Sequence, residues 1–169
     1  ENPGAAIPAE PAPDSAHAAA SASALAAFVT RDNRFHRDDI ERQYRIAIRV
    51  AHQRIVIANA YFFPGWRLLR AMRRAARRGV RVRLLLQGRP DMAIVTTAAR
   101  LLYAHLAGAG IEIHEYCERP FHGKVAVVDD AWSTIGSSNL DPLSLTLNLE
   151  ANVVVLDVGF NRQLRGSLE

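Results

Sequence analysis

Residues 121–150 read FHGKVAVVDDAWSTIGSSNLDPLSLTLNLE. This stretch contains short apolar runs bounded by Gly, Asp, Asn and Ser, a pattern that is typical of strands separated by turns. Together with the residues that follow it, the stretch predicts three strands in succession: Lys124–Val128, Ser133–Ile135 and Asn148–Leu156. The C-terminal part of the chain is therefore expected to be rich in strands.

Upstream of that stretch, predicted helices and strands alternate. The predicted strands are Leu25–Thr30, Arg54–Phe62, Val80–Gln87 and Ile111–Tyr116. The predicted helices are Trp66–Arg78, with Gly79 as its C-terminal cap, and Thr96–Ala107. Alternation followed by clustered strands predicts an α/β fold in which a mixed sheet is flanked by helices on both faces.

A further helix is predicted to begin near Asp38. Asp38 and Glu41 have the spacing of a capping box, in which each side chain satisfies a free backbone amide of the first turn. Ile40, Tyr44 and Ile48 then recur at helical spacing. These positions predict an amphipathic helix that follows the first strand.

The composition places the chain among soluble globular proteins. It has 169 residues, of which 49% are hydrophobic and 22% are charged, with a net charge of +4. That length predicts one domain with a substantial core, and no apolar run reaches the roughly 18 residues of a membrane-spanning helix. A single cysteine, Cys117, excludes an internal disulfide framework and a Cys-based zinc site.

The start of the chain differs in composition from the remainder. Residues 1–24 are rich in alanine and proline and contain neither lysine nor arginine. Such a segment cannot bury enough apolar surface to offset its loss of conformational entropy, so it is predicted to be a disordered linker or tail. Residues 25–169 are predicted to form the folded domain. Because all 21 basic residues lie in that part, the domain is clearly basic.

Polar residues in the opening stretch recur two positions apart. On a strand, His122 and Lys124 would project from the same face at about 6.5 Å along the chain. Ser137 and Asn139 repeat this spacing, and Glu150 follows Asn148 by the same two positions. Three strand ends are thus expected to bring these side chains, apart from that of Asn148, into one pocket.

This set of side chains suits the chemistry of a phosphodiester. An imidazole such as His122 can attack phosphorus or protonate a leaving alkoxide, because its pKa lies near neutral pH. Lys124, Ser137 and Asn139 can stabilise charge on the non-bridging oxygens. Glu150 can hold the far nitrogen of the imidazole and so orient it. The chemistry requires no metal ion and no cofactor.

Two further features concern the same stretch. Asp129 differs in strand parity from His122 and Lys124, so its side chain is expected on the other face, bracing the local fold. Lys124 is the only lysine among the 21 basic residues. The ammonium of lysine is compact and the guanidinium of arginine is planar, so the two are not equivalent beside a phosphate. This difference explains why position 124 has lysine where the other basic positions have arginine.

The motif H-G-K-x4-D-x6-G-S-S-N, at residues 122–139, resembles the H-x-K-x4-D-x6-G-S-x-N signature of the phospholipase D superfamily. The resemblance is closest to the C-terminal half of bacterial cardiolipin synthases, of the type without N-terminal transmembrane helices. It extends over residues 25–169, and its clearest segments are residues 29–33, 36–42, 58–65 and 136–152.

The resemblance implies a fold, a set of site residues and partners. The fold is an α/β/α sandwich, one of two repeats that form an active site between them. His122, Lys124 and Asp129 correspond to the catalytic motif, and Ser137, Asn139 and Glu150 complete the pocket. The implied reaction transfers a phosphatidyl group to phosphatidylglycerol through a phosphate–histidine intermediate, with His122 as either nucleophile or acid/base. In tandem enzymes the second half more often supplies the acid/base, so that role is expected for His122.

The implied partners are phosphatidylglycerol and other anionic phospholipids, at the periphery of the bacterial cytoplasmic membrane. Because the chain holds one motif, the second is expected from the N-terminal half of the same enzyme or from a second copy of this chain. Two other functions remain open. One is a homodimeric phosphodiesterase or nuclease that uses the same motif, and the other is a non-catalytic fragment that binds anionic membranes.

Basic and aromatic residues outside the motif allow two interpretations each. Arginines recur every three or four residues along one predicted helix: Arg67, Arg70, Arg74, Arg77 and Arg81, with Arg73 and Arg78 beside them. This stripe is either a solvated face or a surface for anionic lipid headgroups, and nucleic acid is disfavoured. The aromatic residues of 62–66 are either core, which is the favoured interpretation, or the entrance for an acyl chain.

Overall fold

A seven-stranded sheet organises the chain in the computed structural model, which describes residues 25–88 and 102–169. The strands are β1 Leu25–Arg31, β2 Arg54–Asn59, β3 Arg81–Gln87, β4 Glu112–Tyr116, β5 Lys124–Val128, β6 Trp132–Gly136 and β7 Glu150–Leu156. The helices are α1 Asp39–Val50, α2 Trp66–Arg77, α3 over residues 102–107, α4 Pro142–Thr146 and α5 Val158–Gly166. The predicted tail and the first part of the predicted third helix lie outside the described residues.

The sheet has the order β1-β7-β6-β5-β2-β3-β4. Strands β2, β3 and β4 run parallel, whereas β1, β7, β6, β5 and β2 pair antiparallel in turn. The parallel half coincides with the helix-connected part of the chain, because a parallel pair needs a crossover that a helix supplies. The mixed sheet predicted from the sequence is confirmed.

The main core lies between the sheet and helices α1 and α2. Ile40 and Ile48 of α1, together with Leu68 and Met72 of α2, are at most 2% exposed and belong to one apolar cluster with alternate residues of β2, β3 and β5. The intervening residues of β2 and β5 point to the opposite face and are buried as well: Val56, Ala58 and Val127. The centre of the sheet is therefore covered on both faces.

The ends of the first two helices differ in how they are capped. Gly79 follows α2 with a φ of +88°, and the amides of Gly79 and Val80 donate to the carbonyls of Ala76 and Ala75. This is a Schellman motif, which confirms the predicted glycine cap. The capping box predicted for α1 is wrong. Asp38 precedes the helix but makes no cap bond, because its carboxylate faces Arg45 at 3.5 Å instead.

Several boundaries differ from those predicted. Strand β2 ends at Asn59 rather than at Phe62, since Phe62 leaves the β2 ladder and forms a parallel bridge with Leu140. Helices α4 and α5 were not predicted, although Asp141 and Asp157 cap them by accepting from backbone amides of their first turns. Among residues 25–88 and 102–169, no helix is long and apolar enough to span a membrane.

Candidate active site

Apart from Asp129, the predicted site residues lie where four strands end or begin. The strand register places Asn59, the last residue of β2, opposite Lys124, the first residue of β5. It likewise places Gly136, at the end of β6, opposite Asn152 near the start of β7. We refer to this edge of the sheet as the site end. The two-residue spacings of the sequence thus converge because antiparallel neighbours reverse direction at a common edge.

Lys124 lies at the site end and is 8% exposed. Its ammonium donates one hydrogen bond to the backbone carbonyl of His122, at 3.2 Å from Nζ to oxygen. Burial lowers the pKa of Lys124 below its usual 10.5, while the negative charges of Glu150 and Asp141 oppose this shift. The side chain is therefore a sheltered cation with two carboxylates in its field.

His122 precedes β5 by two residues and is exposed. The carbonyl of Gly123 accepts a hydrogen bond from the amide of Ala60 at 2.9 Å, so the backbone pairing of β5 with β2 continues towards the histidine. A side chain at position 123 would meet the ring of Phe121 at 2.4 Å. The glycine between the two motif residues is explained by this close ring.

Ser137 and Glu150 contact each other across the ends of β6 and β7. The Ser137 hydroxyl donates to a carboxylate oxygen of Glu150 and accepts from the amide of Ala151 at 3.0 Å. The other carboxylate oxygen of Glu150 accepts from the Asn148 amide at 3.5 Å. Among the described residues, no hydrogen bond joins Glu150 to His122, so the orienting role expected for Glu150 stays a prediction.

Asn139 is half-buried at the same edge of the sheet. Its side-chain oxygen is buried and accepts no hydrogen bond from the part of the chain that the structure describes. This oxygen can only accept a hydrogen bond, so the side-chain nitrogen of Asn139 is the atom that is able to donate to a phosphate oxygen. The hydroxyl of Ser137, in contrast, is already used by Glu150.

Asp129 lies at the opposite end of β5 from Lys124. Its carboxylate accepts hydrogen bonds from three successive backbone amides between α1 and β2: those of His52, Gln53 and Arg54, at 2.5–2.8 Å. Its backbone has a φ of +51° in the tight turn between β5 and β6. These contacts brace the local fold, as expected for Asp129, although strand parity is not their cause because Asp129 lies in the turn after β5.

Three buried polar residues that support the site were missed in the sequence. Asn152 is 1% exposed, and its side chain accepts from the amide of Ser138 and donates to Thr134. Asn59 is fully buried and accepts from the amide of Leu140. Each interrupts an otherwise apolar strand, and that interruption was the available signal.

The third missed residue is Arg31, which is 4% exposed at the end of β1. Its guanidinium donates to the backbone carbonyls of Thr146 and Asn148, and so holds the segment that leads into Glu150. A shallow pocket of about 410 Å³ opens beside it, and Ser137 and Glu150 are among its lining residues. Nothing in the local sequence distinguishes this arginine from the many others.

Comparison with known proteins gives concordant matches. The sequence model of the family described as "Cardiolipin synthase, PLD-like domain" matches residues 44–169. Cardiolipin synthase B of Salmonella typhi is 60% identical over 146 residues, which are 86% of this chain and 35% of that protein. Cardiolipin synthase B of Escherichia coli K12 is 60% identical over 140 residues, which are 83% of this chain and 34% of that protein.

The chain therefore spans about a third of the length of these curated relatives. Among solved structures, the phospholipase D family member Nuc from Salmonella typhimurium superimposes with a TM-score of 0.72 at 22% identity. The match covers 86% of this chain and 91% of that one. At this identity the likeness concerns the fold, which agrees with the architecture described above.

Proposed function

The chain belongs to the cardiolipin synthase family of phospholipase D-like domains, and we propose that it forms the C-terminal half of such a synthase. In the proposed reaction, a phosphatidyl group is transferred to the hydroxyl of phosphatidylglycerol, and cardiolipin is formed. The chemistry uses side chains alone and passes through a phosphate–histidine intermediate. Because substrate and product are membrane lipids, the proposed location is the periphery of the bacterial cytoplasmic membrane.

The state of Lys124 is the observation that best supports this proposal. An ammonium has three donors, and in the described part of the chain only one of them is used, by the His122 carbonyl. The remaining donors lie in a sheltered position at the site end, where a phosphate oxygen can accept them. A cation sheltered from water attracts such an oxygen more strongly than a solvated one does.

The proposed reaction has two steps. In the first, an imidazole nitrogen attacks phosphorus, a P–N bond forms, and the bond to the alcohol oxygen breaks as a second imidazolium protonates that oxygen. In the second, the second imidazole removes the proton from the acceptor hydroxyl, whose oxygen attacks phosphorus and breaks the P–N bond. His122 is proposed as the second imidazole, the acid/base.

The other site residues have supporting roles in this proposal. Lys124 and Asn139 hold the non-bridging oxygens of the phosphate, with Ser137 beside them. Glu150 is proposed to orient His122 when the site is complete, and its charge already acts on the Lys124 ammonium. Asp129, the last of the three catalytic-motif residues, acts at the far end of β5 by keeping that strand in place.

The mechanism needs two histidines, and this chain holds one motif. The proposed partner is therefore the N-terminal half of the same enzyme, or else a second copy of the chain. A homodimeric phosphodiesterase or nuclease is the second candidate, because the match to 91% of Nuc means that one such domain can make up nearly a whole chain of this superfamily. The 60% identity to proteins named cardiolipin synthase B favours the first candidate.

The test of the proposal is a segment exchange. In Escherichia coli cardiolipin synthase B, the matched 140-residue segment is replaced by the corresponding residues of this chain, which gives a chimaeric synthase. Cardiolipin formed from phosphatidylglycerol vesicles is measured by chromatography. We expect product from the chimaeric synthase and none from its His122→Ala variant. His114→Ala, which alters an exposed histidine on β4, is the matched control and is expected to retain activity.

The same assays separate the alternatives. Cardiolipin formation that survives His122→Ala would refute the catalytic assignment. Degradation of single-stranded DNA by the chain alone, dependent on His122 and without a lipid product, would favour the homodimeric nuclease. Failure of the chimaeric synthase, while the chain alone still binds anionic vesicles, would leave the membrane-binding fragment as the better description.

A further inference from the structure

A basic groove runs between helices α1 and α2, and none of its lining residues belongs to the candidate active site. Its volume is about 610 Å³, and seven of its ten described lining residues are arginines. Three of them are on α1: Arg42, Arg45 and Arg49. The other four are on α2 or directly after it: Arg67, Arg70, Arg74 and Arg78. Both helices carry arginines at the same steps of three and four residues, so two matching rows face each other.

Most of these guanidinium groups have no counter-charge in the described part of the chain. Arg45 is paired with Asp38 and Glu41, at 3.5 Å each. Arg78 donates to backbone carbonyls at the end of α1, which ties the two helices together. The side chains of the other five form no hydrogen bond or ion pair with a described residue: Arg42, Arg49, Arg67, Arg70 and Arg74.

Like charges gathered in this way repel one another, and an anion in the groove relieves that repulsion. Phosphate is a well-matched anion, because a guanidinium can donate two parallel hydrogen bonds to its oxygens. The groove is also open to solvent, since Arg42, Arg70 and Arg74 are exposed. It can therefore receive a phosphate group that is carried on a larger assembly.

Apolar side chains beside the groove favour a lipid surface over a nucleic acid. Ile46 and Ala71 lie among the arginines as lining residues. Trp66, which begins α2 next to Arg67, is 60% exposed, and Phe63 is 42% exposed. Tryptophan is enriched at the headgroup level of bilayers, where its ring is half in water and half in apolar surroundings. The aromatic segment that was expected in the core is thus divided, with Phe62 inside and these two rings outside.

The two helices of the groove both start from the site end of the sheet. Helix α1 follows β1, whose last residue, Arg31, is opposite Glu150. Helix α2 follows β2, whose last residue, Asn59, is opposite Lys124. The first turns of both helices therefore lie towards the strand ends that carry the site. A bilayer held by the groove would lie next to that edge.

We propose that the α1–α2 groove binds the phosphate groups of anionic phospholipids at a bilayer surface, as a docking site that shares no lining residue with the candidate active site. The proposal rests on the proposed function for its biological setting, since a synthase acting on membrane lipids must reach a bilayer. Its physical basis is independent of that function. It consists of five arginines without a counter-charge among the described residues, apolar lining residues between them, and the exposed Trp66 at the start of α2.

The test measures binding of the full chain to sedimented vesicles of phosphatidylglycerol mixed with phosphatidylcholine. The triple variant Arg42→Gln, Arg70→Gln, Arg74→Gln is expected to bind on the order of 100-fold more weakly, because each cation near an anionic surface contributes about a factor of five. The charge-matched control replaces with glutamine three exposed arginines that neither line the groove nor lie on its two helices: Arg81, Arg119 and Arg162. It is expected to bind within a few-fold of the unaltered chain.

A second readout reports insertion at the interface. Tryptophan emission is expected to shift to shorter wavelength on vesicle binding, because exposed Trp66 enters the headgroup region, and Trp66→Phe is expected to abolish the shift. His122→Ala is expected to leave vesicle binding unchanged. A chimaeric synthase with His122 intact that forms no cardiolipin, while the chain still binds vesicles through the groove, would therefore count against the proposed function and for the groove.

Four results would overturn the proposal. The first is an equal loss of binding in the two triple variants, which would reduce the effect to net charge. The second is release of the chain from vesicles by excess inorganic phosphate at matched ionic strength, which would indicate a site for free phosphate. The third is a groove-dependent affinity for an oligonucleotide without one for vesicles. The fourth is unchanged vesicle binding in the groove variant, with its unfolding midpoint also unchanged.

Discussion

Two residues of one motif, Lys124 and Asp129, lie at the two ends of β5 and differ in how fully the fold uses their hydrogen-bonding groups. At the site end, Lys124 is a sheltered cation with a single described hydrogen-bond acceptor. At the far end, Asp129 is a carboxylate that accepts from three backbone amides. The Lys124 ammonium thus keeps donors that no described residue uses, whereas the Asp129 carboxylate already accepts hydrogen bonds within the fold. The motif spacing joins a sheltered cation and a structural carboxylate through a strand of five residues.

The largest expected effect is on the activity of Lys124 variants. Lys124→Ala in the chimaeric synthase is expected to lower kcat for cardiolipin formation by on the order of 10³-fold, because it removes preorganised donors from the phosphate oxygens. Lys124→Arg is expected to recover only part of the loss, since a planar guanidinium aims its donors differently. Steady-state assays give kcat, and urea unfolding is expected to show a much smaller change than in Asp129 variants.

Asp129→Ala is expected to act on stability. It removes three charge-assisted hydrogen bonds, and it places alanine at a φ of +51°. We expect the free energy of unfolding to fall by about 3 kcal/mol, less than three separate bonds would suggest because two of the amides are exposed. Urea unfolding measures the change, and Asp129→Asn, which tolerates the turn and keeps an acceptor oxygen, is expected to lose less.

Asp130→Ala is the matched control for the turn, because Asp130 shares the positive φ but makes ion pairs instead of backbone bonds. A smaller loss of stability in Asp130→Ala than in Asp129→Ala supports the bracing role. If Asp129→Ala were as stable as the unaltered chain and yet inactive, the contrast between the two ends of β5 would fail, and Asp129 would have to act on the substrate.

Much of this contrast could be predicted from the sequence. The run from Lys124 to Val128 is bounded by a glycine and by two aspartates, so the limits of β5 could be predicted to the residue. The separation of Asp129 from Lys124 could also be predicted, because a strand that begins at Lys124 and ends before Asp129 holds the two residues at opposite ends. Both inferences depend on local chemistry alone, which is why a single sequence is sufficient for them.

The contacts between strands were not accessible in the same way. Glu150 was expected beside His122, but its described bonds are to Ser137 and Asn148, because the register of β6 against β7 decides which side chains meet at the edge. The α1–α2 groove shows the same limit. The arginines of α2 could be recognised in the sequence because they recur every three or four residues. The arginines of α1 could not be connected with them, because only the packing of the two helices brings both rows to one groove.

The lowered pKa of Lys124 predicts an early loss of activity at alkaline pH. In the proposed mechanism the Lys124 ammonium holds the phosphate oxygens, and burial lowers the pKa of this group below the usual 10.5. The alkaline limb of the kcat/KM profile of the chimaeric synthase, which reports the free enzyme, is therefore expected below pH 10.5. Glu150→Gln removes a charge that favours the ammonium, so it is expected to move the limb to lower pH.

The sign for stability is opposite to that for activity. Between the folded and unfolded pKa values of Lys124, the unfolded chain binds more protons, so this group makes the folded state more stable as pH rises through that window. Unfolding of Lys124→Ala is expected to lack this rise. An alkaline limb that stayed in place in Glu150→Gln would contradict the electrostatic link between the two strand ends.

The smallest expected effect concerns the ion pair of Asp130 with Arg165 at the far end of β5. A hydrogen bond from Arg165 lowers the pKa of Asp130 below its usual 3.8. A depressed pKa in the folded state stabilises the protein above pH 3.8, and this contribution is lost as pH falls through the folded value. Arg165→Gln is therefore expected to lower the free energy of unfolding by about 0.5 kcal/mol at pH 7 and by less at acidic pH.

Urea unfolding at neutral and at acidic pH measures this difference, with Arg77→Gln as a control, since Arg77 is exposed and has no described ion pair. A loss in Arg165→Gln that equals the loss in Asp129→Ala would mean that the ion pair, and not the three backbone bonds, secures the turn. We expect the free energy of unfolding to fall several-fold more in Asp129→Ala than in Arg165→Gln. A charged pair at the surface competes with water for each partner, whereas a carboxylate that gathers three backbone amides satisfies donors that the fold has already brought together.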